Sequence, residues 1–389
     1  MIHRSLILFP LLVAACRRSA PPAPPPPRAD FLLVAGDSTF WVRSDAQGVH
    51  ARGSPLELAR WGGRFYEVYV VDDDRSYEDA EIVGQQVWRR DLISGDSLLV
   101  HRDTTIRGIE RWYARAHPDD QPLEPDEDMD PDPHVSATSE LDLLDEFGPY
   151  ASYAYRADLT VSGGDEWHVA RRGVLDLRRG GNASLAELFG ERNAAYLTRR
   201  GNALFSQARD SVLASRDARA RVAADAIGDF EFDSTSFAVV AVNREPAVEF
   251  VVPGRGSRAG GLVLPLPPIK VAIPAWWDRS ESGLPTSEDA TSERWARDSY
   301  QVVARDERDG DAVQVSIIDS AGHTWPVART PAPARRIYWL DSPRADSTTI
   351  RALARAFDEA ALYSEEARTA MAGRARTPAL LAALPRRAR

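Results

Sequence analysis

The stretch Ser162–Val169, SGGDEWHV, places Asp165 three residues before His168. A carboxylate and an imidazole at that spacing are the groups that hold and relay a proton in hydrolytic sites, and Ser38 offers a nucleophile. Together they make a nominal Ser-His-Asp set. The surrounding residues argue for another reading. In the preceding tract ASYAYRADLTV, Tyr153, Tyr155, Ala157, Leu159 and Val161 alternate with Ser152, Arg156, Asp158 and Thr160. That period of two specifies a strand with one buried and one wet face, so Gly163-Gly164 turns a hairpin. If the strand restarts at Glu166, His168 shares the wet face with Glu166 and Ala170, while Trp167 and Val169 face inward. Asp165, three places away, points elsewhere. The expectation is an exposed histidine beside a turn, with no catalytic residue assigned.

Phe31–Ser38, FLLVAGDS, resembles the first block of the GDSL hydrolases, in which the serine follows a buried strand. A nucleophile of that kind sits at a strand-to-helix turn, whereas Ser38 leads into TFWVRSD, a further strand. The tripeptide recurs as Gly95-Asp96-Ser97 between extended segments, and no later Gly-x-Asn-Asp element is present. GDS reads as turn chemistry.

Histidines His50, His101, His117, His134, His168 and His323 are scattered, with no H-x-H or H-x-x-x-H spacing, so no metal site is expected. Asp126, Asp128 and Asp130 alternate like calcium ligands, but Pro131 stands where an EF-hand loop needs glycine. No Walker loop occurs and no G-x-G-x-x-G follows a strand, so no cofactor is expected. Trp276-Trp277 is the best candidate for stacking on a sugar ring, although tryptophans of a sheet are mostly core or rim residues.

The N-terminus has the shape of an export signal: basic His3-Arg4, the apolar run Leu6–Val13, then small residues. Val13-Ala14-Ala15-Cys16 looks like the lipobox of bacterial lipoproteins, which implies cleavage before Cys16 and acylation of its thiol. Cys16 is the only cysteine in 389 residues, so stability must come from packing and not from disulfides. The Pro-rich tract after it suits an extended spacer that holds a domain off a membrane. A net charge of −10 argues against nucleic acid and against a polybasic membrane contact. The membrane partner is then reached through acylated Cys16 alone, on the bacterial envelope, at the outer membrane or periplasmic face if the host is Gram-negative.

Hydropathy patterning divides the chain into a signal (1–15), a spacer (16–29), a β-rich N-terminal region (30–110) and an acidic Pro-rich linker (111–140). An α+β domain (141–278), C-terminal strands and a helix (279–364) and a basic tail (365–389) follow. Ser184-Leu-Ala-Glu187 is a capping box that opens a central helical segment running, with breaks, to about Ala226. Asp278–Arg297 looks like a polar excursion. SYQVVARD and DAVQVSIID form a hairpin, and Ser347 caps a final helix with Ile350, Leu353, Ala354 and Phe357 inward. The expected fold class is α+β: antiparallel sheets, a β-rich N-terminal region, a central helical segment and a C-terminal helix.

From Tyr150 to about Pro274 the order of elements resembles the extracytoplasmic domain of RsiV-like proteins, a family of lysozyme-sensing anti-sigma factors and peptidoglycan deacetylase accessory domains. The pieces that carry it are the tyrosine-rich strand, the Gly163-Gly164 turn, Val174-Leu-Asp-Leu177 and Ser184–Gly190. Phe230-Glu-Phe-Asp233, Gly261–Leu266 and Ile273-Pro274 complete it. The family turn reads Gly-Gly-Ala-His, whereas His168 here arrives two places late. The resemblance implies a fold and a binding habit at the cell wall. The expected function is a lipid-anchored, non-catalytic envelope module that binds or senses peptidoglycan or a secreted wall-active protein. The alternatives are an envelope serine hydrolase using Ser38 and His168, or a purely structural lipoprotein. Oligomeric state is left open.

Overall fold

The computed structural model describes residues 24–36, 38–123, 133–164, 166–218, 221, 224, 232, 234–251, 266–278, 283–289, 291–307, 312–330, 333–340 and 347–360. Cys16, the signal, most of the spacer, the acidic tract 124–132, Asp165 and the basic tail lie outside them. The described residues are mostly β: strand makes up 51% of them and helix 20%. Among the described residues, no helix is long and apolar enough to cross a membrane.

Strand β1 (Ala29–Ala35) is central to a four-stranded sheet with β2 (Ser38–Asp45), β3 (Gly48–Ser54) and β19 (Ala334–Trp339), in the order β19-β1-β2-β3. Its continuous apolar run is explained by burial on both faces. Phe31 and Leu33 pack toward one core and Leu32 and Val34 toward another. The first core is shared with the five-stranded sheet β14 (Ser287–Asp289), β15 (Ser292–Arg297), β16 (Tyr300–Asp306), β17 (Val313–Asp319) and β18 (Thr324–Thr330). The second is covered by the C-terminal helix α4 (Ser347–Ala360), which buries Ala352, Leu353, Ala356 and Phe357. The β-rich N-terminal region is thus completed by a strand from the far end of the chain.

The largest sheet runs β10-β9-β8-β6-β5-β4, built from β4 (Glu57–Trp61), β5 (Arg64–Asp74), β6 (Ala80–Asp91), β8 (Val135–Phe147), β9 (Tyr150–Val161) and β10 (Trp167–Asp176). A further strand, β7 (Ser97–Arg102), pairs with the second half of β6, and β8 runs parallel to its first half. Between them lies helix α1 (Thr104–Ala116), where the sequence reading places strand and linker. Asp103 caps it by accepting from the Thr105 and Ile106 N–H groups, and Ile106 and Tyr113 turn into the core. A parallel pair needs a crossover of this kind, and the helix supplies it.

The pairing crosses two of the expected divisions. The division at 140 falls inside β8, whose Val135, Ala137, Leu141 and Leu143 are buried while the Asp and Glu between them face out. The N-terminal region and the following domain share one sheet and one core, so they are not separate units. The polar tract 278–297 also contains a hairpin, β14–β15, held by buried Trp295, whose indole N–H donates to the Gly283 carbonyl at 2.8 Å.

The capping box at Ser184 opens a short helix, α2 (Leu185–Phe189), with Leu185 and Leu188 buried. Gly190, at φ +81°, breaks it from α3 (Glu191–Leu213). These helices pack with β11 (Phe237–Val242), β12 (Glu245–Phe250) and β13 (Ile269–Lys270), a three-stranded sheet, against the far end of the large one.

Arg336 on β19 is fully buried, and its guanidinium pairs with Asp145 on β8. Replacing Arg336 with Met is expected to cost about 1–3 kcal/mol, because the half-buried Asp145 carboxylate is left without its cation. Adding Asp145→Leu should recover part of that loss in equilibrium urea unfolding.

Candidate functional site

Strand register decides what surrounds His168. Across the β9–β10 hairpin, Trp167 faces Leu159 and His168 faces Asp158. The imidazole Nδ1 hydrogen-bonds the Asp158 carboxylate, and Nε2 lies 3.5 Å from Glu166 Oε2. The hydrogen bond to Asp158 is the larger influence and Glu166 adds to it, so the histidine is held above its usual pKa. The imidazole is thus held between two carboxylates at the surface, a cross-link between neighbouring strands. Glu166 is the neighbour expected from alternation; Asp158 is the one missed. Pairing the strands across Gly163-Gly164 would have found it. Val169 packs half-buried against the core, and Trp167 is half-buried as well.

Ser38 opens β2 opposite Ala35 in the four-stranded sheet, and His168 belongs to the large sheet. The tertiary structure therefore does not combine them as one strand system, and Asp165 lies outside the described residues.

Trp277 is buried in the core, and Trp276 packs half-buried against it. Trp277 is 3% exposed and stacks on Phe147 at 4.4 Å. Trp276 meets Tyr150 edge-on at 5.1 Å, and its indole N–H donates to the Leu188 carbonyl at 3.0 Å. The Pro-bounded tract carries Trp277 into the core and lays Trp276 half-buried against it beneath α2.

A second polar group lies inside the large sheet, and the sequence reading did not single it out. His101 and Asp103 end β7, Tyr153 and Tyr155 lie on β9, and Arg171 and Gly173 face those tyrosines from β10. Asp103 is buried; besides capping α1 it accepts from the Tyr155 hydroxyl at 2.8 Å. The Arg171 guanidinium sits 4.4 Å over the Tyr155 ring. Gly173 is required by contact: a Cβ there would lie 2.5 Å from the Tyr153 ring. The Tyr153 hydroxyl donates to Asn182 Oδ1 at 3.1 Å. Burial first, then the charge of Arg171, pushes His101 down to about 4, with Asp103 opposing. Burial and the Asp103 carboxylate raise the Tyr155 hydroxyl. At neutral pH the His101 imidazole is thus neutral and the Tyr155 phenol keeps its proton.

Like charges meet on the five-stranded sheet, where Glu293 stands directly across from Glu288. Burial, then Glu288 and Asp306, raise Glu293 to about 7. Among the described residues, no group of three His, Cys, Asp or Glu side chains could hold a metal ion. The aspartates of the tract 126–130 lie outside them. No protein-family model matches the chain, and no curated protein matches it.

His101 gives a signed pH dependence. Its folded pKa is depressed from 6.5 to about 4, so the unfolded chain binds the extra proton between those values and stability falls as pH drops. The expected loss is about 3 kcal/mol on reaching pH 4. His101→Gln, which has no such proton to take, should show a flatter acid limb than the parent in urea unfolding across that range.

Proposed function

We propose that this chain is a lipid-anchored envelope protein whose exported portion, an α+β unit of RsiV-like type, binds a wall component or a secreted wall-active protein without catalysis. The observation that carries the reading is Val13-Ala14-Ala15-Cys16, the sole cysteine of the chain, followed by SAPPAPPPPRA. Acyl chains on Cys16 supply the anchor, and a Pro-rich tract stays extended without needing a core. It leads straight into β1 at Ala29, so the anchor and the first sheet are joined by spacer alone.

The RsiV-like part of the reading is supported by order: the Tyr-rich β9, the Gly163-Gly164 turn, Val174–Leu177, the Ser184 capping box and then helices. The non-catalytic part is supported by the separate commitments of Ser38 and His168. One is a strand residue of the four-stranded sheet; the other is engaged by Asp158 and Glu166.

Cys16→Ser is expected to move the protein from membrane to soluble fractions in its bacterial host; continued sedimentation with membranes would sink the anchor. The released protein should be retained on purified sacculi or on immobilised lysozyme. Retention on neither would sink the binding half. Ester or glycan turnover abolished by Ser38→Ala or His168→Ala would replace the reading with a hydrolase.

A further inference from the structure

Helix α4 seats its apolar face on the four-stranded sheet, but its first half stands away from the turn that joins β6 to β7. Between them lies a cleft of about 280 Å3, lined by Ile93, Thr348, Arg351, Ala352 and Arg355. It adjoins a smaller hollow of about 120 Å3 beneath the turn, with which it shares Ile93, Ala352 and Arg355.

The charge distribution around this cleft is one-sided. Arg351 and Arg355 are exposed and one helical turn apart, so their side chains rise along the same rim. Arg355 donates to the Leu92 carbonyl at 3.4 Å, and neither arginine has a carboxylate partner among the described residues. The nearby acids are engaged elsewhere. Glu67 and Glu359 both bind Arg90. Asp91 binds Arg64 and accepts from the Ile93 and Ser94 N–H groups. A chain of net charge −10 therefore presents a concave patch with two cations and, among the described residues, no acid in its lining. The floor is aliphatic, made by the Ala352 methyl and Ile93, both part of the core under α4.

Two guanidiniums over an aliphatic floor select an oxyanion attached to a small apolar group. A guanidinium fork matches a planar carboxylate through paired N–H donors. The volume is just below the roughly 300–1,000 Å3 of common ligand pockets, which suits a single end residue and not a disaccharide. The geometry points to a cleft that binds the C-terminal carboxylate of a peptide ending in a small aliphatic residue, such as the D-alanyl end of a wall stem peptide. This inference rests on the wall-binding reading and names its ligand chemistry. The carboxylate lies between Arg351 and Arg355, the Thr348 hydroxyl is available to donate a further hydrogen bond, and the alanyl methyl covers Ile93 and Ala352.

The test is calorimetric titration of the full-length protein in detergent with acetyl-lysyl-D-alanyl-D-alanine, with its C-terminal amide and with inorganic phosphate. The free acid should bind at least about tenfold more tightly than the amide. Arg351→Gln with Arg355→Gln should remove that advantage, and the paired Lys variant should restore part of it. Both arginines are exposed, so melting followed by circular dichroism should be unchanged. If the double Gln variant unfolds, Arg351→Gln and Arg355→Gln made singly decide the matter, each expected to weaken the acid by about threefold or more. Equal binding of acid and amide, an unaffected double variant, or binding of phosphate alone would overturn the cleft. Wild-type protein retained on sacculi while the acid peptide fails to bind sinks the cleft and leaves the wall-binding reading standing. Retention on neither sacculi nor lysozyme sinks the reading itself.

Discussion

The ion pair between Arg336 and Asp145 joins the two ends of the fold, and its geometry depends on two irregularities in regular strands. In β19 the register passes from Val34 opposite Arg336 to Ala35 opposite Ala334, leaving Arg335 as the extra residue of a bulge. In β8 it passes from Leu143 to Asp145, leaving Leu144 as the extra residue. A bulge turns neighbouring side chains out of strict alternation. Arg335 can therefore reach Glu57 at 3.5 Å and the Leu143 carbonyl at 3.4 Å while Arg336 takes Asp145. The Arg336 guanidinium also lies 5.4 Å over the Phe147 ring. Tyr338, buried beside it, has a raised hydroxyl pKa through burial, which Glu146 reinforces and Arg336 opposes. Such a pair contributes little net energy against an apolar alternative, but removing one member is costly, so it favours this docking of the sheets over others.

Around that pin the structure is held by apolar packing, as a chain with one cysteine requires. β1 is sandwiched between two cores, one shared with the five-stranded sheet and one with α4. The large sheet has its own core, which α1 enters through Ile106 and Tyr113, and the three-stranded sheet packs with α2 and α3 on another. Strands from residue 29 to residue 339 contribute to one sheet, so most of the chain must be present before the first strand is covered on both faces.

The same residue type behaves oppositely in two places. His168, on the surface among carboxylates, favours its charged form; His101, buried beside Arg171, favours its neutral one. Residue identity is common to both, and the difference is solvent access plus the sign of the nearest fixed charge. The clamp on His168 is present below its unfolded pKa and fades as pH rises through the higher folded value, the reverse of His101. The contribution at His168 is small, because the imidazole is open to water.

Local features were legible in the residues themselves. The period of two in Ser152–Val161, the Gly163-Gly164 turn and the capping box at Ser184 are written in neighbours a few positions apart, and each forms where expected. The last helix forms with Leu353 and Phe357 inward, but Ala352 and Ala356 take the place expected for Ala354, and Ser347 is its first residue and not its cap. Asp103-Thr-Thr with Ile106 and Tyr113 carries an equally readable helix start, hidden by the apolar strand pattern just before it. The chain itself therefore determined most elements and the wet face of His168. Tertiary structure alone decided which strands share a sheet, that Asp158 engages His168, that Trp277 is core with Trp276 packed against it, and that Arg336 meets Asp145. Those outcomes depend on register and on contacts between residues up to hundreds of positions apart. Periodicity says which face of a strand is apolar, but it holds no record of what that face will meet.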